Sequence, residues 1–261
     1  MARLPRLYAP RVPQLVQAQF AYPLARPDAP VPGPALDRIH AWLGEETRGL
    51  ADGRTESARP DGDPNPSGDK PATAIHAWAI LPDGITLLAT PGDAQSLPYL
   101  MQGLGRRMGS GLMRTRVYTS RYHNALLEPG RWVLPAMVWV ESLAVMAGYV
   151  TSATQWPWSS AAEHAGLAAI SRPPSGDRNA DATMPLTDHP DYWREGDTPF
   201  SRQAAWRKRL ADGLAEPQRR QIEAALHGQW ALGEKIFLTH LGRLASRRVS
   251  PAPRGRPRKP V

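Results

Sequence analysis

From Arg243 to its last residue the chain carries seven basic side chains (Arg243, Arg247, Arg248, Arg254, Arg256, Arg258 and Lys259) and no acid. The net charge is +8, and setting these seven aside leaves +1, so the positive charge is concentrated at one end. A concentrated basic run points to a polyanion, nucleic acid being the usual one, or else to a solvated tail. Its core, Pro253-Arg254-Gly255-Arg256-Pro257-Arg258-Lys259-Pro260, has a spacing suited to one task. Glycine lets a backbone lie deep in a narrow groove and proline keeps it extended. Two guanidinium groups can then follow the floor of an A·T-rich minor groove. If all seven charges met phosphates, log K would fall against log salt with a slope of about −6. Arg106, Arg107, Arg114 and Arg116 make a second basic group, and Arg121 follows it. These side chains suit phosphate contacts or, equally, a solvated face near a helix C-terminus, where cations are favoured.

Other chemistries have less to work with. The seven histidines are scattered without metal-ligand spacing, and His76 and His189 read as packing and loop residues. With no cysteine, disulfides, thiolate metal sites and cysteine nucleophiles are excluded, which fits a reducing, cytoplasmic setting. No apolar stretch follows Met1-Ala2-Arg3-Leu4-Pro5-Arg6, so no signal peptide is expected. The apolar run Trp132 to Val150 is interrupted by Pro135 and Glu141 and suits a buried helix better than a membrane span.

The elements that must position these residues follow from hydrophobic period. Gln14 to Phe20 alternates as a strand; Ala35 to Leu50 has helical spacing; 51–73 is an Asp/Gly/Pro/Ser-rich insertion. Strands are expected at Ala74–Leu81 and Ile85–Thr90, joined by Pro82-Asp83-Gly84. A helix capped by Ser96 runs to Met113, weakened toward its end by four glycines at about 1 kcal/mol each. A strand at Arg121–Leu127 and a helix at Arg131–Ala147 come next. After a polar loop, short helices are expected at Ser201–Leu214, Glu216–Leu226 and Gly233–Leu244. The order β-α-β-β-α-β suits an α/β (α+β) fold, a ferredoxin-like split βαβ antiparallel sheet with helices on one face, plus a small helical C-terminal region. Periodicity alone leaves this order open. The expected division is 1–165, a loop at 166–184, helices at 185–245 and a basic tail at 246–261.

Eight short blocks, in order, resemble the REP-associated tyrosine transposases, which are single-tyrosine HUH enzymes. They include Met1-Ala2-Arg3-Leu4-Pro5-Arg6-Leu7, His76-Ala77-Trp78-Ala79-Ile80-Leu81-Pro82 and Leu100-Met101-Gln102-Gly103-Leu104-Gly105-Arg106-Arg107. Ser120-Arg121-Tyr122, Pro157-Trp158-Ser159-Ser160, Asp188-His189-Pro190-Asp191-Tyr192-Trp193, Pro199-Phe200-Ser201-Arg202-Gln203 and Trp230-Ala231-Leu232-Gly233 complete the series. The basic tail separately resembles an AT-hook.

In that family a tyrosine hydroxyl attacks a DNA phosphodiester and becomes joined to the 5′ phosphate, while a His-x-His strand helps hold Mg²⁺ or Mn²⁺ on the scissile group. The resemblance places the two histidine positions at Gly84 and Thr86, the nucleophile at Trp139 and the asparagine one turn on at Leu143. An indole offers only an N–H donor, and leucine, glycine and threonine provide at best one weak hydroxyl. The resemblance therefore implies a transposase-like DNA-binding protein without its catalytic residues, without a metal cofactor, and monomeric or a homodimer. Its expected ligands are hairpin single strands or A·T-rich duplex, met by Arg106, Arg107, Arg121, Arg254, Arg256, Arg258 and Lys259. Two rival readings stand beside it: an active nickase with a relocated nucleophile at Tyr149, Tyr118 or Tyr122, and a relic with no retained role.

Overall fold

The computed structural model describes residues 5–26, 29–51, 73–167, 184–245 and 247–251. Strand alternation sorts the core into two faces. In β1 (Gln14–Gln19), Val16 and Ala18 pack on one side of the sheet and Leu15 on the other. β3 (Gly84–Thr90) does the same, with Ile85, Leu87 and Ala89 opposite Leu88. In β2 (Ala74–Leu81), Trp78 and Ile80 oppose Ala77, Ala79 and Leu81. A register shift between Ile75 and Ala77 lets Ile75 join Trp78 despite its odd spacing.

With β4 (His123–Leu126) the strands lie in the order β2-β3-β1-β4, and every neighbouring pair is antiparallel. β3 splits the β1–β2 crossover and β1 splits the β3–β4 crossover, as a split βαβ, ferredoxin-like sheet requires. The first crossover is α1 (Gly33–Ala51), which buries Leu36, Ile39 and Leu43 on one stripe. The second is α2 (Ser96–Gly111), which buries Leu97, Leu100, Met101, Leu104 and Met108. Both cover the Val16 face. Two details of α2 differ from expectation. Ser96 is its first residue, and the Asp93 carboxylate accepts from the Gln95 and Ser96 N–H groups at 2.9 and 2.7 Å. The helix also persists through Gly111, where a Cβ would lie 2.4 Å from the Trp42 ring, so this glycine permits the close approach of α1.

Helices on one face describes α1 and α2 only; the opposite face is covered as well. α3 (Val133–Glu141) buries seven of its nine residues, too many for a helix with one side in water. It lies against the sheet, and its outer side is closed by Tyr192 of α6 (Pro190–Trp193), Trp206 of α7 (Pro199–Asp212) and Ile222 and Leu226 of α8 (Glu216–Gly228). The expected single helix to Ala147 bends at Ser142 into a short α4 (Leu143–Met146). α5 (Ala161–His164) follows, and α9 (Lys235–Leu244) packs Leu241 with Leu7, Leu126 and Val249. Among the described residues no helix is long and apolar enough to cross a membrane. Nearly all of the 51–73 insertion, most of the 166–184 loop, and Arg254, Arg256, Arg258 and Lys259 lie outside the described residues.

Candidate nucleic-acid interface

β1 and β3 pair Gln17 with Thr86 and Gln19 with Gly84, so these four residues share the sheet face that α3 covers. There they line a cleft of about 310 Å³ with Leu143, Arg219 and Glu223. Trp139, one turn before Leu143, reaches the same place: its indole N–H donates to Glu223 Oε1 at 3.4 Å. Three of the four positions taken from the sequence thus line one cleft, and the fourth is bonded to its wall.

The cleft offers little to a divalent cation. Thr86 Oγ1 accepts from Gln17 Nε2 at 3.3 Å. Gly84 is not in the turn but in the strand, since Pro82-Asp83 alone joins β2 to β3. A Cβ at Gly84 would lie 2.7 Å from the Ala18 carbonyl oxygen, which belongs to the backbone and cannot swing aside. Glu223 faces Arg219 at 3.4 Å. Among the described residues no three His, Asp or Glu side chains gather as a metal site. The residues at these positions do not fit the ion that the resemblance would require.

The alternative tyrosines lie elsewhere. Tyr118 donates to the Met101 carbonyl and Tyr122 lies under Arg6; both pack on the α1/α2 side of the sheet. Burial pushes the Tyr122 phenol up to about 12 and raises Tyr118 further still. Tyr149 stacks on Trp156 with ring centres 5.2 Å apart, and burial raises it as well. Not one of the three lines the cleft.

A second concavity, of about 630 Å³, opens between α2 and the segment leading into β4. Arg6, Arg106, Arg116 and Arg121 line it with Gln102, Tyr118 and Tyr122, and no carboxylate does. The Arg6 guanidinium lies 3.7 Å from the Tyr122 ring centre, and its Nε is buried without a hydrogen-bond partner. Burial, assisted by the like charge of Arg121, holds the Arg6 pKa below its ordinary value. The basic group read from the sequence divides here. Arg107 is ion-paired with Glu45 and Glu46, and Arg114 donates to the Tyr22 and Pro23 carbonyls. Arg116 donates to the Tyr118 and Thr119 carbonyls through Nε and Nη2. Arg106 is exposed and has no ion pair or hydrogen bond among the described residues. Attraction to the helix C-terminus does not account for it, because the last turn of α2 contains no basic residue.

A buried network escaped the sequence reading. Glu141, at the end of α3, is fully enclosed. Its Oε1 accepts from Ser160 Oγ at 2.6 Å and from His164 Nδ1 at 2.5 Å, and its Oε2 accepts from Trp206 Nε1 at 2.8 Å. Burial opposes a charged imidazole, but the Glu141 carboxylate outweighs it and holds the His164 pKa above the ordinary value. Its one visible signal was an acid inside an apolar run, which demands partners.

No family model and no curated protein matches the chain. Among solved structures, that of a REP-associated tyrosine transposase bound to a REP hairpin is similar, at 14% identity and a TM-score of 0.47, over 72% of this chain and all of that one. A likeness of that degree leaves the site to be read from its own residues.

Proposed function

We propose that this chain is a DNA-binding protein on an HUH-transposase-like scaffold and that it does not carry out tyrosyl transfer to a phosphodiester. The observation that supports it is the convergence of Gly84, Thr86, Leu143 and, through Glu223, Trp139 on one cleft. Motif order assigns these positions to one site, and they meet in space as the parts of one site would. What they bring there is a hydroxyl already bonded and an indole N–H, neither of which supplies a nucleophile or a metal ligand set. The basic side chains then supply the retained role, binding to a hairpin single strand or an A·T-rich duplex. Arg254, Arg256, Arg258 and Lys259 serve the minor groove, and Arg106 and Arg121 serve phosphates.

The test is binding of the purified chain to hairpin single strands, A·T-rich duplex and scrambled controls across a salt series, with and without Mg²⁺ or Mn²⁺. Preference that survives at about 0.15 M salt without metal is expected. An SDS-resistant protein–DNA adduct would overturn the catalytic half of the proposal. Uniform binding that vanishes with salt would reduce the chain to a basic relic.

A further inference from the structure

The fold brings together two histidines that lie far apart in the chain. His123 opens β4 and pairs with Gln17 of β1, which turns its ring to the sheet face that α3 and α8 cover. His227 stands in the last turn of α8. Their ring centres are 6.3 Å apart, with the planes nearly perpendicular. His123 is half-buried and His227 exposed, so an ion in solution can reach both. Neither ring makes a hydrogen bond or ion pair among the described residues. Other histidines are committed. His76 is hydrogen-bonded through both nitrogens, and His164 Nδ1 donates to Glu141. His189 Nδ1 accepts from the Asp191 N–H, and His40 is buried against Trp78.

Two adjacent imidazoles repel when both are protonated and gain when they share a cation. Desolvation, and then the neighbouring His227, hold the His123 pKa below its ordinary value, so at neutral pH that ring keeps a lone pair for a metal. An ion bound by a ring nitrogen at about 2.0–2.1 Å lies about 3 Å from the ring centre, so one ion joins centres about 5–6 Å apart. The observed 6.3 Å is just beyond that span, and a turn of the exposed His227 side chain closes the gap. The C-terminal end of α8 favours a cation as well.

We infer that His123 and His227 form a two-imidazole site for a divalent transition ion of the zinc or nickel kind, clipping α8 to the edge strand β4. Imidazole suits such ions, whereas Mg²⁺ requires oxygen ligands. Among the described residues no third His, Asp or Glu joins the pair, so water completes the coordination and binding is weaker than in a closed four-ligand zinc site. The site is separate from the positions at Gly84 and Thr86, since β1 lies between β3 and β4. It does not depend on DNA binding. Its consequence is positional: α8 also carries Arg219 and Glu223, which wall the cleft, so a bound ion fixes that wall against the sheet.

The experiment titrates the full chain with Zn²⁺, Ni²⁺ or Mg²⁺ alone by calorimetry, for wild type, H123A, H227A and the control H240A, which removes an exposed histidine on α9. Wild type and H240A are expected to bind one Zn²⁺ or Ni²⁺ and no Mg²⁺. H123A and H227A should each weaken binding about a hundredfold or more, because the second imidazole acts at high effective concentration. Zn²⁺ at about a hundredfold over its Kd should raise the wild-type melting temperature by about 5 °C or more. It should not raise that of H227A. If H123A lowers the metal-free melting temperature, H227A decides, since its side chain is exposed. Binding that survives H227A, or that is lost in H240A, would overturn the site. So would a wild-type chain that binds neither Zn²⁺ nor Ni²⁺, and each of these results leaves the DNA-binding reading untouched.

Discussion

The indole N–H of Trp139 donates to Glu223 Oε1 at 3.4 Å, tying α3 to α8. Glu223 in turn faces Arg219, and both line the cleft that contains Gly84 and Thr86. Trp139 is thus part of a helix-to-helix contact.

Placing a hydroxyl at this position is therefore expected to produce no chemistry. Trp139→Tyr should give no SDS-resistant adduct with hairpin DNA in Mg²⁺ or Mn²⁺, because the strand opposite presents no ligand set. The same substitution removes buried aromatic surface and the bond to Glu223, and should lower stability by about 1–3 kcal/mol in urea denaturation. An adduct formed by this single variant would sink the assignment of the site.

Placing histidines on this strand meets a steric obstacle first. A side chain at Gly84 starts 2.7 Å from the Ala18 carbonyl oxygen, inside the β1–β3 pairing that sets the register. Gly84→His together with Thr86→His should cost about 1–3 kcal/mol of stability, as overpacking does. It should also bind Mn²⁺ no better than wild type in calorimetric titration. Tight binding with an unchanged melting point would mean that β1 yields easily and that the cleft remains a latent metal site.

How much of this was legible in the sequence depends on the range of the contacts. Strand alternation around Val16, Ile85 and Leu87 located the sheet, because one face of each strand is written locally. That Gly84 and Thr86 share one sheet face was legible, since alternate strand positions point the same way. The partners of Glu141 were not, because Ser160, His164 and Trp206 lie 19, 23 and 65 residues away. The ion pairs of Arg107 were not legible for the same reason, as its acids are on α1, 62 and 61 residues earlier. The cover on the second sheet face was missed because α7 and α8 read as ordinary short amphipathic helices. Nothing local says that their apolar stripes close over α3.

His76 should give the protein an acid-sensitive step. The Thr187 carbonyl can only accept, so Nδ1 carries the proton and donates at 2.7 Å, while Nε2 accepts from the Thr90 hydroxyl at 2.8 Å. That arrangement needs a neutral ring, and burial lowers its pKa to about 4. Between the ordinary value near 6.5 and 4, the unfolded chain takes up a proton that the folded chain refuses. Stability is thus expected to fall as pH drops through that window, by a few kcal/mol at most. The check is the urea midpoint against pH for wild type and His76→Gln. The variant should be less stable at neutral pH and flatter between pH 6.5 and 4. An equally steep decline in the variant would assign the acid sensitivity to other groups.

Glu141 makes the strongest single claim on stability. Its carboxylate accepts from Ser160, His164 and Trp206, which joins α3 to the segment before α5, to α5 itself and to α7. Glu141→Ala would leave an indole N–H and an imidazole in the interior without their acceptor, and the Ser160 hydroxyl with only the Trp78 carbonyl at 3.4 Å. Breaking a buried pair by removing one partner costs about 3–5 kcal/mol. The sign of the pH effect also follows. Glu141 holds the His164 pKa above its unfolded value, so this contribution is fully present below the unfolded pKa and is lost as pH rises through the folded one. Wild type minus Glu141→Ala, measured by urea denaturation from pH 5 to 9, should therefore shrink toward the alkaline end. A difference that stays level across that range would mean the ring is neutral throughout. Glu141 would then act through hydrogen bonds alone.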